Sequence, residues 1–326
     1  MTRGRSLAAA VPLIAAVLFT SLAGTALATP VFSLRVEAPG RTVDPGTFYA
    51  PRNPIAAQRG ELAGPGNCVR AGGDISIPGR TALGLLASAA NASAALRPVL
   101  VAEDAFGRRV CRAAGFNETD VPFTGWLYRV NHVPPTPAAD LFSIAKGDEV
   151  LWVFANFGTG ANTGDELVLS APVRATPGTV QVSVTAVDFN GASRPAPDGT
   201  LISGGAAPAL TAGGVATVTV APGRTVLRAT GPGAAPTEIP SNQVPLCVAS
   251  QLGDCPAAPG RRIVGSNARD VIKGTPGPDV IRTRGGRDTV RVRGGGADVV
   301  NCGKGRDKVV ADPQDKVRRC EKGRRR

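Results

Sequence analysis

Residues 265–317 have the sequence GSNARDVIKGTPGPDVIRTRGGRDTVRVRGGGADVVNCGKGRDKVVADPQDKV, in which an aspartate recurs and a β-branched residue follows two positions later. The six pairs are Asp270 and Ile272, Asp279 and Ile281, Asp288 and Val290, Asp298 and Val300, Asp307 and Val309, and Asp315 and Val317. Successive aspartates are 9, 9, 10, 9 and 8 residues apart. A repeat near this length is typical of stacked short strands, so the stretch predicts a short C-terminal β-solenoid, or β-roll.

The turns before the first five aspartates are GSNARD, GTPGPD, TRGGRD, GGGAD and CGKGRD. They resemble the calcium-binding nonapeptide repeats G-G-x-G-x-D-x-U-x of RTX-type secreted proteins, in a degenerate form that keeps every aspartate but few complete glycine sets. The resemblance implies calcium as a cofactor, because hard oxygen ligands suit that ion. The carboxylates carried over from the motif are Asp270, Asp279, Asp288, Asp298 and Asp307.

A metal-free coil is the alternative. Arg269, Arg287 and Arg306 each directly precede one of these aspartates, and an ion pair between the two side chains would compete with a metal. The region is also short, with about three full turns if two nonapeptides make one turn. We expect a disulfide between Cys302 and Cys320 to compensate for the small number of repeats.

Positive charge is concentrated in the same part of the chain. From Arg261 to Arg326, 19 Lys and Arg stand against 8 Asp and Glu, a net of +11, whereas the whole chain carries +12. A basic segment of an exported protein favours anionic partners such as cell-wall polymer or polysaccharide, and the alternative is a solvated tail that only keeps the protein soluble. No Phe, Tyr or Trp occurs from Arg261 onward to stack on bases, so nucleic acid is not an expected partner.

The first residues have the pattern of a signal peptide. Arg3 and Arg5 precede an apolar run at residues 7–22, and Ala26 and Ala28 are the small residues that a signal peptidase requires. We expect cleavage after Ala28, which removes residues 1–28, leaves no transmembrane anchor and makes the protein secreted, extracellular or cell-wall associated. The alternative is an uncleaved membrane anchor.

Six cysteines in an exported chain predict three disulfides. Among the connectivities that six cysteines allow, proximity in the sequence favours Cys68 with Cys111, Cys247 with Cys255, and Cys302 with Cys320. A metal site built from cysteines is not expected, because the chain has no CxxC motif and a single histidine, His132.

Residues 29–172 are predicted to form an α+β domain. Alternating apolar residues predict a strand at 31–36, and a run rich in leucine and alanine predicts a helix at 81–96. Aromatic and β-branched residues predict two further strands at 125–131 and 149–154.

Three segments of this domain, FSLRVEAPGRT, GWLYRVN and KGDEVLWVF, resemble the transcobalamin-like C-terminal family, in the form found in secreted actinobacterial-type proteins. The resemblance implies a small α+β fold and, in the cobalamin carriers, one surface over a corrinoid. Trp126, Tyr128 and Trp152 are therefore candidates for a ligand-binding groove. The alternative is that strand aromatics, in a chain with few of them, form the core.

Residues 173–248 are predicted to form an antiparallel β-sandwich, because short alternating strands are separated by turns such as Asn190-Gly191 and no helical segment lies between them. The run GGVATVTVAPGRTVLRATGPG resembles Ig-like and carboxypeptidase-regulatory-like sandwiches, which act as spacers or adhesive modules. Residues 249–262 are predicted as a linker, 263–320 as the repeat region and 321–326 as a basic tail.

The sequence does not indicate an enzyme. The zinc motif HExxH is impossible with one histidine, and neither a GxSxG elbow nor a phosphate-binding P-loop occurs. A lone histidine at a strand end, as His132 is, is more often structural than catalytic. The whole chain therefore predicts a mainly β, modular, non-enzymatic binding protein of the cell envelope whose basic tail associates with anionic surface polymer. The alternative is a carrier of a small, corrinoid-like molecule that acts through the first domain.

Overall fold

The computed structural model describes residues 28–64, 67–104, 107–120, 123–156, 164–233, 237–320 and 322–325. The predicted signal peptide lies outside these residues except for Ala28, as do residues 321 and 326 of the predicted basic tail. The described chain is mainly β with one α-helix, which confirms the fold class predicted from the sequence. No helix among these residues is long and apolar enough to cross a membrane.

The N-terminal domain has two sheets and the helix. Its elements are β1 (Phe32–Ala38), β2 (Arg41–Tyr49), β3 (Ile55–Leu62), β4 (Cys68–Ile77), α1 (Ala82–Ala92), β5 (Leu100–Asp104), β6 (Gly107–Ala113), β7 (Phe116–Asn117), β8 (Thr119–Asp120), β9 (Phe123–Val130) and β10 (Glu149–Asn156). One sheet contains β2, β1, β10, β9 and β8 in that order, with β1 and β10 parallel, and the other contains β4, β3, β5, β6 and β7. The core of the domain packs both sheets against α1.

The helix is shorter than the sequence predicts. Thr81 caps it, since its hydroxyl accepts a hydrogen bond from the main-chain N–H of Gly84 at 3.0 Å. The α-helix ends at Ala92, and residues Ala94–Leu96 form a 3₁₀ turn. Most of α1 is buried because its alanines and leucines lie between the two sheets.

The β-sandwich follows in the sequence. Its strands are β11 (Glu166–Ser170), β12 (Arg174–Ala175), β13 (Gly178–Val187), β14 (Ser193–Pro195), β15 (Leu201–Ser203), β16 (Ala209–Leu210), β17 (Val215–Val220), β18 (Gly223–Thr230) and β19 (Val244–Val248). One sheet joins β11, β14 and β17 to β13, and the other has the order β12-β19-β18-β15-β16. Every pair is antiparallel except β12 with β19. Because β11 pairs with β13, the structure places the start of the sandwich before the predicted boundary at 173.

The repeat region winds into a coil of two parallel ladders. Its strands are β20 (Arg262–Val264), β21 (Val271–Lys273), β22 (Val280–Arg282), β23 (Thr289–Arg291), β24 (Val299–Asn301), β25 (Lys308–Ala311), β26 (Lys316–Arg318) and β27 (Lys322–Arg325). Even-numbered strands pair with one another, and so do odd-numbered strands, so each full coil takes two repeats. The residue two positions after each aspartate points inward, which forms a core that includes Ile272, Ile281, Val290, Val300 and Val309.

The coil packs directly on the N-terminal domain. Strand β20 pairs in parallel with β2, so one ladder of the coil continues the first N-terminal sheet into a sheet of nine strands. The other ladder begins beside Thr29, whose main-chain N–H donates to the carbonyl of Val271 at 2.8 Å and whose hydroxyl accepts from the N–H of Val271 at 2.8 Å. The N-terminal domain therefore covers the first edge of both ladders, which would otherwise present unpaired main-chain groups. The sandwich lies between the two modules in the sequence but does not separate them in space.

All three predicted disulfides are present. Cys68 and Cys111 lie in the second N-terminal sheet with their Cα atoms 5.8 Å apart. Cys247 and Cys255, also 5.8 Å apart, join the last strand of the sandwich to the predicted linker, and Cys302 and Cys320, 5.2 Å apart, join successive coils.

Candidate functional site

The repeated aspartates are buried and connect one coil to the next. The Oδ1 atoms of Asp288, Asp298, Asp307 and Asp315 accept hydrogen bonds from the main-chain N–H of the aspartate one coil earlier, at 2.8, 2.7, 2.9 and 2.9 Å. Asp279 accepts in the same way from the N–H of Arg261 at 2.7 Å. Each of these carboxylates therefore takes up a main-chain donor at a turn, where the parallel ladders do not reach.

The turns differ in whether the second carboxylate oxygen, Oδ2, accepts a hydrogen bond. Oδ2 of Asp270 accepts from the N–H and hydroxyl of Ser266, and Oδ2 of Asp279 accepts from the N–H of Thr275. In contrast, the Oδ2 atoms of three aspartates are buried and have no hydrogen-bond partner: Asp288, Asp298 and Asp307. Desolvation, together with the neighbouring carboxylates of each ladder, raises the pKa of Asp288 and of Asp298 to about 6.

These carboxylates fit hydrogen bonding better than they fit calcium. Calcium takes about six to eight oxygen ligands. Oδ2 of Asp270 and Oδ2 of Asp279 already accept hydrogen bonds from local donors, and Asp288, Asp298 and Asp307 each have a single carboxylate oxygen without a partner. Among the described residues, no group of three or more His, Cys, Asp and Glu could hold a metal. Calcium binding stays a prediction from the motif, and the hydrogen bonds of the aspartates give them a structural role between coils.

The predicted ion pairs between the aspartates and the preceding arginines do not form. The aspartates are buried, whereas Arg269, Arg287 and Arg306 are exposed and make no ion pair with any carboxylate in the described chain. The physical reason is the alternation of the turn, which points the aspartate inward to main-chain donors and the residue before it outward.

The three arginines lie one per coil along the same edge of the coil, and we call this row the arginine edge. Each precedes an aspartate of a single ladder, because Asp270 bonds to Asp288 and Asp288 bonds to Asp307. Successive coils are separated by about 4.8 Å, the usual distance between neighbouring strands. The corresponding positions on the opposite edge hold no charge: Pro278, Ala297 and Gln314.

Burial of the acidic residues makes the surface of the coil more cationic than its composition suggests. Between residues 261 and 320, every Asp is buried except Asp312, which lies 3.8 Å from Arg293. In the same range, every Lys and Arg except the half-buried Arg284 is exposed. Apart from Asp312 and Arg284, the negative charges between residues 261 and 320 are therefore inside the coil, and the positive charges face solvent.

A cleft of about 780 Å³ lies where the coil meets the N-terminal domain. The domain contributes the segment after β2, strands β3 and β4, and the end of α1, and the coil contributes residues 265–267 and Arg284. Arg52 also lines the cleft, and Arg97 lines a smaller hollow of about 50 Å³ that shares Asn91 with it. Burial lowers the pKa of Arg284, and the charges of Arg52 and Arg97 lower it further.

The predicted groove aromatics are core residues. Trp126 and Trp152 are buried, and the indole N–H of Trp152 donates to the carbonyl of Ala82 at 3.2 Å. Tyr128 packs its ring against Trp152, with 5.5 Å between centroids, and its hydroxyl donates to the carbonyl of Pro137. Trp126 packs its ring against Phe154, with 5.4 Å between centroids, and its indole N–H donates to the carbonyl of Phe116 at 3.4 Å. All three therefore belong to the core of the domain and do not line the cleft.

His132 belongs to a buried charge cluster between the N-terminal domain and the sandwich. Glu166 of β11 accepts a hydrogen bond from Arg35 of β1, lies 2.9 Å from Nδ1 of His132 and lies 3.7 Å from Arg129 of β9. Desolvation opposes ionisation of this carboxyl, but the hydrogen bond from His132 and the two guanidinium charges lower the pKa of Glu166. The hydrogen bond to Glu166 raises the pKa of His132. We call these four side chains the Glu166 cluster.

The comparisons with known proteins return no relative: no protein-family model, no curated protein and no solved structure matches the chain. The resemblances seen in the sequence therefore remain predictions.

The cleft and its arginines were missed at the level of sequence. Arg52 and Arg97 come from loops whose positions depend on the fold of the N-terminal domain. Arg284, however, could have been noticed in the sequence. It stands four residues before its aspartate, where the later turns have Gly294 and Gly303. A large cation at a glycine position is a departure from the repeat that could have marked a site.

Proposed function

We propose that this protein is an exported, non-enzymatic binding protein that attaches to anionic cell-wall polymer or polysaccharide through the arginine edge of its coil. The observation that carries the proposal is the row of Arg269, Arg287 and Arg306, exposed, repeated once per coil and free of ion pairs with the described carboxylates. Guanidinium groups bind carboxylates and phosphates through paired hydrogen bonds, so a regular row of them suits a polymer with regularly spaced anions.

The three disulfides support an extracellular setting, since such bonds persist in oxidising compartments. The position of the coil supports attachment as its role. Its first coil is fixed to the N-terminal sheet by β2 and Thr29, and a disulfide joins its last coils, so the arginines are held on a rigid support. A rigid row loses less conformational entropy on binding than the same charges on a flexible tail.

Sedimentation of the full chain with a polymer of uronic acid tests the proposal, with a neutral dextran as the control polymer. We expect the protein to sediment with the acidic polymer at about 0.1 M salt and to remain in solution at about 1 M salt, where the screening length falls to about 3 Å. Equal sedimentation with the neutral polymer, or none with the acidic one at low salt, would leave the basic residues as a solubility device and overturn the proposal.

A further inference from the structure

The cleft between the coil and the N-terminal domain has a wall from each module. Strands β3 and β4 and the end of α1 form one wall, and the turn containing Ser266 and Asn267 forms the other. Its volume of about 780 Å³ is in the range of cavities that hold small ligands. The cleft exists only because the coil packs on the domain, so neither module holds it alone.

Positive charge in and beside the cleft exceeds the negative charge there, since the buried Asp270 is attracted to Arg52 but forms no ion pair with it. Arg52, Arg97 and Arg284 make no ion pair within the described residues. Among the described residues, Asp74 is the only acidic side chain that lines the cleft, and its carboxylate already has a partner, because Arg70 lies 3.4 Å from it. Three guanidinium groups near one another are mutually repulsive, and an anion placed among them would remove that repulsion.

Arg284 is held at the cleft in a backbone conformation that a side chain rarely takes. Its φ is 74°, close to the 78° of Gly303 at the equivalent position one coil later. Its guanidinium donates to the carbonyl of Asn91, in the last turn of α1, at 2.9 Å. The N-terminal domain thus fixes a cation of the coil at the negative end of the helix, with its remaining donors available at the edge of the cleft.

Hydrogen-bonding groups accompany the arginines. The side-chain amides of Asn91 and Asn267 line the cleft, are exposed and make no hydrogen bond within the described part of the chain. The hydroxyl of Ser76 lies on the same wall. Such groups pair well with hydroxyls, and one buried aromatic residue of the domain, Tyr49, also lines the cleft.

We propose that this cleft is a binding site for a small anionic sugar, whose single carboxylate or phosphate lies between Arg52 and Arg284, on the side where Arg97 lines the neighbouring hollow, and whose hydroxyls pair with the nearby amides. The site goes beyond attachment to a polymer, because it takes one sugar unit and does not use the arginine edge.

Calorimetric titration of the full chain tests the proposal with four probes: glucuronate, glucose 6-phosphate, glucose and inorganic phosphate. We expect both anionic sugars, or the one whose anion fits, to bind more tightly than glucose or inorganic phosphate. The tighter of the two identifies the anion that the site prefers. The double variant Arg52→Gln, Arg97→Gln should weaken that binding about tenfold or more, as expected for loss of charge-assisted hydrogen bonds.

Two controls separate this site from the arginine edge. Arg224→Gln removes an exposed charge from the sandwich and should leave sugar binding unchanged. The triple variant Arg269→Gln, Arg287→Gln, Arg306→Gln should keep sugar binding even where polymer attachment is lost. Absence of binding of either anionic sugar, equal affinity for glucose or for inorganic phosphate, or unchanged affinity of the Arg52 and Arg97 variant with its unfolding midpoint preserved, would overturn the proposal.

Discussion

At the scale of the residue, Asp279 and Asp298 hold the same place in the repeat but have different surroundings. Thr275 donates to the carboxylate of Asp279 through its N–H and its hydroxyl, whereas Gly294 occupies that place before Asp298 and Oδ2 of Asp298 is left without a partner. Both carboxylates keep their bond to the main chain of the preceding coil. The same position of the repeat therefore holds two kinds of carboxylate. Both oxygens of Asp279 accept hydrogen bonds, whereas one buried oxygen of Asp298 accepts none.

This difference predicts opposite effects of the same substitution. Asp298→Asn keeps a carbonyl oxygen for the N–H of Asp279 and removes a buried charge, so we expect it to be neutral or stabilising at pH 7. Asp279→Asn replaces one of two engaged oxygens by an NH₂ group that cannot accept from Thr275, so we expect a loss of about 1–3 kcal/mol. Thermal and denaturant unfolding of the two variants measure the difference, and equal losses would contradict it.

The pH dependence has a definite sign. Desolvation raises the pKa of Asp298 from 3.8 to about 6, so the folded chain keeps a proton that the unfolded chain releases. Protonated Asp298 contributes fully to the free energy of unfolding below pH 3.8, and this contribution is lost as the pH rises through about 6. In Asp298→Asn, the free energy of unfolding should therefore no longer fall over this pH range for this reason. Millimolar calcium should leave the unfolding midpoint unchanged. A rise with calcium that Asp298→Asn abolishes would show that this carboxylate is a calcium ligand.

At the scale of the element, the coil depends on glycines where one turn approaches the next. A Cβ at Gly305 would lie 1.6 Å from the carbonyl oxygen of Gly286 in the preceding coil. A Cβ at Gly294 would meet nothing within 4 Å, although both residues have positive φ. Stacking of coils thus constrains Gly305, whereas backbone conformation alone constrains Gly294.

Alanine at these two positions separates the effects. We expect Gly294→Ala to cost about 1–2 kcal/mol, the usual penalty of a side chain in the left-handed region. Gly305→Ala should cost clearly more, because the main chain of one coil must move away from the other. Unfolding of the two variants gives the comparison, and similar midpoints would contradict close stacking at Gly305.

At this scale, the positions of the short strands in the repeat region could be read from the sequence for a physical reason. The pairs of aspartate and β-branched residue encode a local rule, one inward carboxylate and one inward apolar side chain per strand, and the strands β21 to β26 follow it. The roles of Arg269, Arg287 and Arg306 were predicted wrongly, because proximity in sequence to an aspartate does not mean contact across a turn. The cleft could not be predicted, since the pairing of β2 with β20 joins residues more than two hundred positions apart.

At the scale of the whole molecule, charged side chains hold the modules together. Glu166 of the sandwich is fully buried between Arg35 and Arg129 of the N-terminal domain, and Arg129 also donates to the carbonyls of Val187 and Gly164. Nη2 of Arg228 in the sandwich donates to both carboxylate oxygens of Glu37 of β1, at 3.0 Å to each. The N-terminal domain therefore contacts the sandwich through ion pairs and the coil through a shared sheet.

Removal of the central carboxylate should destabilise the docked molecule. Glu166→Gln removes the fully buried counter-charge between Arg35 and Arg129 and leaves Arg35 only Glu149, at 3.7 Å. Loss of one partner of a buried pair costs about 3–5 kcal/mol. Arg194→Gln is the matched control, because the Arg194 side chain is 57% exposed and its pair with Asp165 should contribute less than about 1 kcal/mol. Denaturant unfolding measures both variants. Equal stability of the two would contradict a structural role for the Glu166 cluster.

The central claim is that the coil binds acidic polymer through the position of the arginine edge and not through its total positive charge. Affinity for an acidic polymer tests this claim. One full-length variant carries Arg269→Gln, Arg287→Gln and Arg306→Gln, and the other removes three charges from the face of β21, β23 and β25 by Lys273→Gln, Arg291→Gln and Lys308→Gln. We predict that the first variant loses about tenfold or more in affinity for a uronic acid polymer at about 0.1 M salt, and that the second stays within about threefold of the unchanged chain. Equal weakening of the two variants would contradict the assignment of binding to the arginine edge.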